Sequence, residues 1–237
     1  MAGVFQFKQF SVDQSGCAMK INTDGVLLAA LAVSDTANTI LDIGTGTGVI
    51  ALMLAQKFND AHVDAVEIDA QAADTANINF ESSPFSKRLK LYALSFEAYF
   101  KQHPEKQYDL IVSNPPFYID SLKSPGAKKA LAKHTDVDFF EQLIKNVSRH
   151  LTPNGSCCLI LPVNIAEMVT TLAAAGGMYL QKTICVQSYA HSQAHRAIIC
   201  IGFNNVAADA TELIIYKAAG IYTDEYQKLL QPYFLNF

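Results

Sequence analysis

Asp42-Ile43-Gly44-Thr45-Gly46-Thr47-Gly48 joins an apolar run, Thr39 to Ile43, to a helix-patterned stretch that continues to Lys57. Three alternate glycines make a turn whose lack of side chains permits positive φ and lets backbone approach a ligand closely. In an open α/β sheet, ligands bind outside the carboxyl ends of the strands, and the first strand normally flanks that crevice. The spacing differs from the Gly-x-Gly-x-x-Gly fingerprint that cradles a dinucleotide pyrophosphate. It asks for close approach to a ligand that carries no phosphate there, with the Asp42 carboxylate beside a cationic end.

Outward from this turn, strands and helices alternate. Helices are expected over Thr47–Lys57, Ala70–Phe80, Phe96–Phe100, Val137–His150 and Val163–Ala175. Strands are expected over His62–Ile68, Leu89–Ala93, Tyr108–Ser113, Ser156–Leu161, Leu180–Ser188, Ala197–Phe203 and Leu213–Tyr216. Strands separated by single helices must run parallel, because right-handed crossovers return the chain to one sheet. The expected fold is therefore α/β: a Rossmann-like, doubly wound sheet of about seven strands, mostly parallel, with an antiparallel edge. Ahead of it, Phe5-Gln6-Phe7-Lys8-Gln9-Phe10 alternates like a half-buried strand and Asp13-Gln14-Ser15-Gly16 reads as a hairpin turn. Thr23 or Asp24 can then cap a helix reaching about Val33. Residues 1–35 are thus expected as an extension packed on a single domain, 36–237.

With 237 residues, half of them apolar and 17% charged, the chain can bury a large core and is not disordered. No apolar stretch approaches the roughly 20 residues that span a bilayer. Gln6, Lys8 and Gln9 interrupt the first ten residues, so no secretory signal is expected, and the location expected is cytoplasmic. Five cysteines at spacings that fit no zinc pair or redox motif are expected as free, mostly buried thiols, and the six scattered histidines suggest no metal. A net charge of −4 argues against a generally basic surface. Yet Lys123, Lys128, Lys129, Lys133 and His134 fall between Ser121 and Thr135 without an acid. Two readings stand: a solvated lysine-rich loop, or a phosphate-binding loop for a polyanion.

That basic stretch follows the second motif, Asn114-Pro115-Pro116-Phe117, which leaves the apolar run Leu110-Ile111-Val112-Ser113. Proline fixes φ and lacks an N–H, so the turn is stiff and its carbonyls stay free. One amide, one free carbonyl and a flat ring are the parts needed to hold a planar amino group while a methyl replaces one of its hydrogens. The Asn114 side-chain oxygen and the Pro115 carbonyl can accept from the two N–H groups, with Pro116 as the brace and Phe117, aided by Tyr118, stacking on the base. About twenty residues beyond the glycines, Ala65-Val66-Glu67-Ile68-Asp69 places Glu67 where both hydroxyls of an unphosphorylated ribose could be held, with Ile68 beside it. S-adenosylmethionine fits this pair of motifs, with Asp42, Gly44, Thr45, Gly46, Gly48, Glu67, Ile68 and Asn114 around it.

On these residues the chain resembles the class I S-adenosylmethionine-dependent methyltransferases, in particular the adenine N6 group with Asn-Pro-Pro-aromatic motifs. Over its whole length, from Phe5–Phe10 and Met19–Asp24 to Tyr222-Thr223-Asp224-Glu225-Tyr226, it is similar to the bacterial tRNA1(Val) (adenine-37)-N6-methyltransferase family. The resemblance implies tRNA as the partner and Lys20, Thr23 and Asp24 as part of a segment lying over the cofactor. It also marks a departure: many relatives carry an aspartate on the cofactor adenine where Ser95 stands here. Other acceptors use related motifs, namely guanine N2 of ribosomal RNA, adenine N6 of DNA and a release-factor glutamine. A cofactor-binding interaction module without activity is a further alternative. A monomer is expected.

Overall fold

The computed structural model describes residues 3–15, 17, 19–34, 37–116 and 127–237, with the backbone alone for 127–136. A hairpin of β1 (Val4–Gln6) and β2 (Ser11–Asp13) precedes α1 (Thr23–Leu31). The alternating core follows as β3 (Thr39–Ile43), α2 (Val49–Lys57), β4 (His62–Val66), α3 (Ala70–Glu81), β5 (Leu89–Tyr92), α4 (Phe96–Gln102) and β6 (Tyr108–Ser113). It continues as α5 (Ala127–His150), β7 (Leu151–Leu161), α6 (Val163–Ala175), β8 (Tyr179–Tyr189), β9 (Arg196–Gly202), β10 (Asp209–Ala218), β11 (Ile221–Tyr222) and α7 (Asp224–Leu230).

Nine strands form one sheet in the order β11-β10-β8-β9-β7-β6-β3-β4-β5. The chain leaves β3 to build β4 and β5 on one side and returns to lay β6 on the other, so the switch in strand order lies between β3 and β6. Of the eight strand spans expected, Leu213–Tyr216 falls within β10 and the other seven occupy the stretch of the sheet from β5 to β8. Beyond it β10 pairs with β8 in parallel and β11 turns back antiparallel, so the antiparallel members are β9 and β11.

Alternation along each strand splits the core into two layers. Ile40, Leu110, Val112, Cys158 and Ile160 face α1, α2, α3 and α7, whereas Leu41, Ile111, Cys157 and Leu159 face α4, α5 and α6. Helix α2 is buried from Val49 through Ala55, because it packs on β3, β4 and β5 while α1, seated on the same face of the sheet, lies against it. Lys57 closes the α1 C-terminus by donating to the carbonyls of Ala30 and Ala32, both at 2.7 Å, and burial lowers its pKa to about 8. Beneath α4, Asp64 of β4 accepts from Tyr108 at 2.7 Å, from Tyr99 at 3.0 Å and from the Lys106 ammonium.

Several local expectations change. The hairpin turns at residues 7–10, where Phe7 N–H donates to Phe10 O and the two rings stack, while Asp13 to Ser15 forms a separate turn after β2. Asn22 caps α1, accepting from Gly25 N–H at 2.9 Å, in place of Thr23 or Asp24. Helix α5 begins at Ala127, ten residues ahead of the expected start, so Lys128, Lys129, Lys133 and His134 lie on a helix and not in a loop. Cys158 and Cys200 oppose each other across β7 and β9 with Cα atoms 4.2 Å apart and are bonded, leaving Cys17, Cys157 and Cys185 free.

Candidate active site

The carboxyl ends of β3, β4 and β6 and the start of α4 surround a cleft of about 300 Å³. Gly44, Gly46, Glu67, Ser95, Asn114 and Pro115 line it, and a narrow extension brings Lys20, Asn22, Thr45 and again Asn114 around the glycines. Gly44 and Gly46 have φ of 72° and 57°, and space is open where their Cβ atoms would stand. This leaves a bare backbone face turned to the cleft, the feature a closely approaching ligand requires. Gly48 is different: its φ is 83°, and a Cβ there would lie 2.5 Å from the Phe80 ring.

The turn is braced from below. Gly44 and Thr45 N–H groups donate to Val66 O at 2.9 and 3.1 Å, and Gly46 N–H donates to Glu67 Oε2 at 2.8 Å. The other Glu67 oxygen accepts from Asp69 N–H at 2.9 Å, so one carboxylate ties the glycine turn to the tip of β4. Asp42 is fully buried and accepts from the Thr45 hydroxyl at 2.6 Å, while its Oδ1 has no hydrogen-bond partner. Burial pushes its pKa up to about 7, against the lowering effect of the Thr45 bond. Asp42 lies beneath the turn and does not line the cleft, so the expected direct approach to a cationic ligand is replaced by a brace acting through Thr45.

At the end of β6, Ser113 Oγ donates to Ile43 O at 2.7 Å and locks the two motif-bearing strands side by side. Asn114 is half-buried, Pro115 buried and Pro116 exposed. The opposite wall is aromatic: Phe96 and Phe139 meet edge to face with centroids 5.6 Å apart.

The methyltransferase small domain model matches residues 17–174. The chain belongs to that methyltransferase family. It is 48% identical, over the full length of both chains, to the tRNA1(Val) (adenine(37)-N6)-methyltransferase of Pedobacter heparinus. A protein of the same name from Flavobacterium psychrophilum is 40% identical over 98% of this chain and 100% of its own. Among solved structures, a predicted O-methyltransferase from Agrobacterium tumefaciens superposes with a TM-score of 0.68 at 19% identity, covering 89% of this chain and 96% of that one. A methyltransferase from Pyrococcus furiosus gives 0.53 at 20% identity, covering 79% and 89%. These two show the class I fold, and the methyl donor of this methyltransferase is S-adenosylmethionine.

The methyltransferase gathers Gly44, Gly46, Glu67, Ile68, Ser95, Asn114, Pro115 and Pro116 in one cleft and places Lys20 and Thr45 in its extension. Ser95 caps α4, its hydroxyl oxygen accepting from Ala98 N–H at 3.2 Å, and the O–H can still donate on the cleft side. Asp24 forms an ion pair with Arg196 at 2.7 Å, and Thr23 lines a different cavity; neither lines the cleft. Phe117, Tyr118 and Lys123 lie outside the described residues, as do the side chains of Lys128, Lys129, Lys133 and His134. Sequence reading missed Met19, Leu94, Phe96, Glu97 and Phe139 as cleft residues. Leu94, Phe96 and Glu97 carried a positional signal, since they follow a parallel strand. Phe139 carried none, because an apolar residue at helical spacing reads as core.

Proposed function

We propose that the chain transfers a methyl group from S-adenosylmethionine to the exocyclic N6 amine of adenine-37 in tRNA1(Val), the reaction in its relatives' names. The observation that carries this reading is that Asn114, at the rigid end of β6, shares one cleft with Gly44, Gly46 and Glu67. The open faces of Gly44 and Gly46, the Glu67 carboxylate and the apolar wall of Ile68 and Leu94 suit a nucleoside with a cationic tail. Bound there, S-adenosylmethionine supplies an electrophilic methyl on a sulfonium.

The residues of the chain then do three things. Glu67 accepts from the ribose hydroxyls while Asp42, through Thr45, keeps the turn in shape. Asn114 Oδ1 and the Pro115 carbonyl accept from the amine, favouring a pyramidal nitrogen whose lone pair points at the methyl. As the N–C bond forms and the C–S bond breaks, the nitrogen becomes cationic, and its proton leaves to water afterwards. No strong base is required, so catalysis rests on positioning and on acceptors aimed at developing charge. Phe117 and Tyr118 stack on the flipped adenine, while Lys123, Lys128, Lys129, Lys133 and His134 meet tRNA phosphates.

The test is methylation of tRNA from a strain lacking the gene, read by nucleoside mass spectrometry. N6-methyladenosine is expected with the native chain. Asn114→Ala should lower kcat about 100- to 1,000-fold, the usual cost of one aimed polar contact, with cofactor affinity retained. N2-methylguanosine, or near-normal turnover in the variant, would defeat the assignment.

A further inference from the structure

A second cavity, of about 530 Å³, opens between the N-terminal hairpin, the start of α1 and the β11–α7 corner. Phe5, Asn22, Tyr222, Tyr226, Asn236 and Phe237 are among its walls, and among the described residues no carboxylate, ammonium or guanidinium side chain lines it. Tyr222 and Tyr226 stack at 4.9 Å and 15°, and Tyr216 stacks on Tyr222 at 5.0 Å and 23°. Strand register extends this row: Tyr189, Tyr216 and Tyr222 are successive partners across β8, β10 and β11, and exposed His191 stacks on Tyr189 at 5.5 Å and 14°. Because β8 and β10 run in the direction of β6, Tyr189 and Tyr216 stand toward the carboxyl end of the sheet, the end that carries Asn114.

The two cavities share a wall. Ile21 and Asn22 line this one and the extension of the cofactor cleft, where Asn114 is also found, and Met19 lines the cleft itself. An enzyme that extrudes one base from an RNA loop leaves the neighbouring bases without their stacking partner. Aromatic rings receive such bases in place of the lost neighbour, and every base has a π-face, so this contact tolerates sequence.

We infer that the second cavity is a binding site for an unpaired RNA base, one of those flanking the methylated adenine, and this rests on the tRNA reading above. The lining chooses this occupant. A neutral wall of rings offers a phosphate or an acidic peptide no counter-charge, whereas side-chain amides such as those of Asn22 and Asn236 can meet the hydrogen-bonding edge of a base. Asn22 Oδ1 is occupied by Gly25 N–H, which leaves its Nδ2 as the donor. Phosphates of the same strand would run outside, past exposed Lys20 at the join of the two cavities.

The experiment uses the full chain and an unstacked oligouridylate carrying one 2-aminopurine, with no methyl donor. Stacking in the cavity quenches the probe. Phe5→Ala and Tyr222→Ala should each weaken binding about 5- to 150-fold, the range for loss of one stacked ring. S-adenosylmethionine affinity by calorimetry should stay unchanged. Phe5 sits at the rim, so its variant decides the matter if removal of Tyr222 harms folding. Unchanged oligonucleotide affinity in a folded Phe5→Ala protein, with a folded Tyr222→Ala protein agreeing, would overturn the inference and hand the cavity to an apolar segment of a protein partner. Quenching by the native chain that both variants weaken, alongside no methylation of tRNA, would instead remove the target assignment and leave this site standing.

Discussion

Gly48→Ala adds a single methyl group at the point where the cofactor turn enters α2. Two penalties meet there. The backbone stands at φ 83°, where an L side chain costs about 1–2 kcal/mol relative to glycine. The new Cβ would also lie 2.5 Å from Cε1 of Phe80, a ring that is 2% exposed and packed in the core, and such overpacking costs about 1–3 kcal/mol. Together these predict a loss of roughly 2–5 kcal/mol. At about 2–4 °C per kcal/mol for a domain of this size, the melting temperature should fall on the order of 10 °C. Thermal unfolding of the native chain, Gly48→Ala, Phe80→Leu and the double variant separates the two causes. The steric part should appear as a favourable coupling of at least about 1 kcal/mol in the double variant, since the smaller side chain clears the contact. A shift below 2 °C in Gly48→Ala would refute the strain argument, and strict additivity would refute the steric half.

Asp42 makes stability depend on pH, because burial raises its folded-state pKa from the ordinary aspartate value of 3.8 to about 7. A raised carboxyl pKa favours the folded state below the unfolded value, and that contribution is lost as pH rises through the folded one. Asp42→Asn, which mimics the protonated form, should therefore flatten the decline in urea-measured stability between pH 4 and 7; an unaltered profile would exclude Asp42 as its source. In the middle of β4, Asp64→Ala removes the shared acceptor of the Tyr99 and Tyr108 hydroxyls and the Lys106 ammonium, and should cost about 2–4 kcal/mol. Urea titration showing less than 1 kcal/mol would mean that water replaces the carboxylate.

Much of the architecture was legible because its signals are local. The alternation of period-2 and helical patterns from Thr39 onward marks a parallel doubly wound sheet, and each core strand from β3 to β9 lies within a few residues of its expected place. The grouping of Gly44, Gly46, Glu67 and Asn114 was legible too, since all stand at carboxyl ends of strands on either side of the switch point. Less visible was α5, where the lysines between Ser121 and Thr135 suggested a loop; the run Ala127-Lys128-Lys129-Ala130-Leu131-Ala132-Lys133 is made of good helix formers, and propensity prevailed. The bond between Cys158 and Cys200 depends on the pairing of β7 with β9, which cysteine spacing does not encode.

Local chemistry alone determined where the backbone must turn, which stretches are strand or helix, and which short motifs carry amide, carbonyl and carboxylate groups. Tertiary structure decided which of those groups look outward. Asp42 and Glu67 both sit at strand tips, yet one is sealed beneath the turn while the other lines the cleft. Asp24 was drawn to Arg196, 172 residues away, and Tyr189, Tyr216 and Tyr222 became one row only through strand register. Periodicity is a property of neighbours in the chain, whereas burial and register arise from contacts between distant segments, whose partners are settled only when the whole core packs.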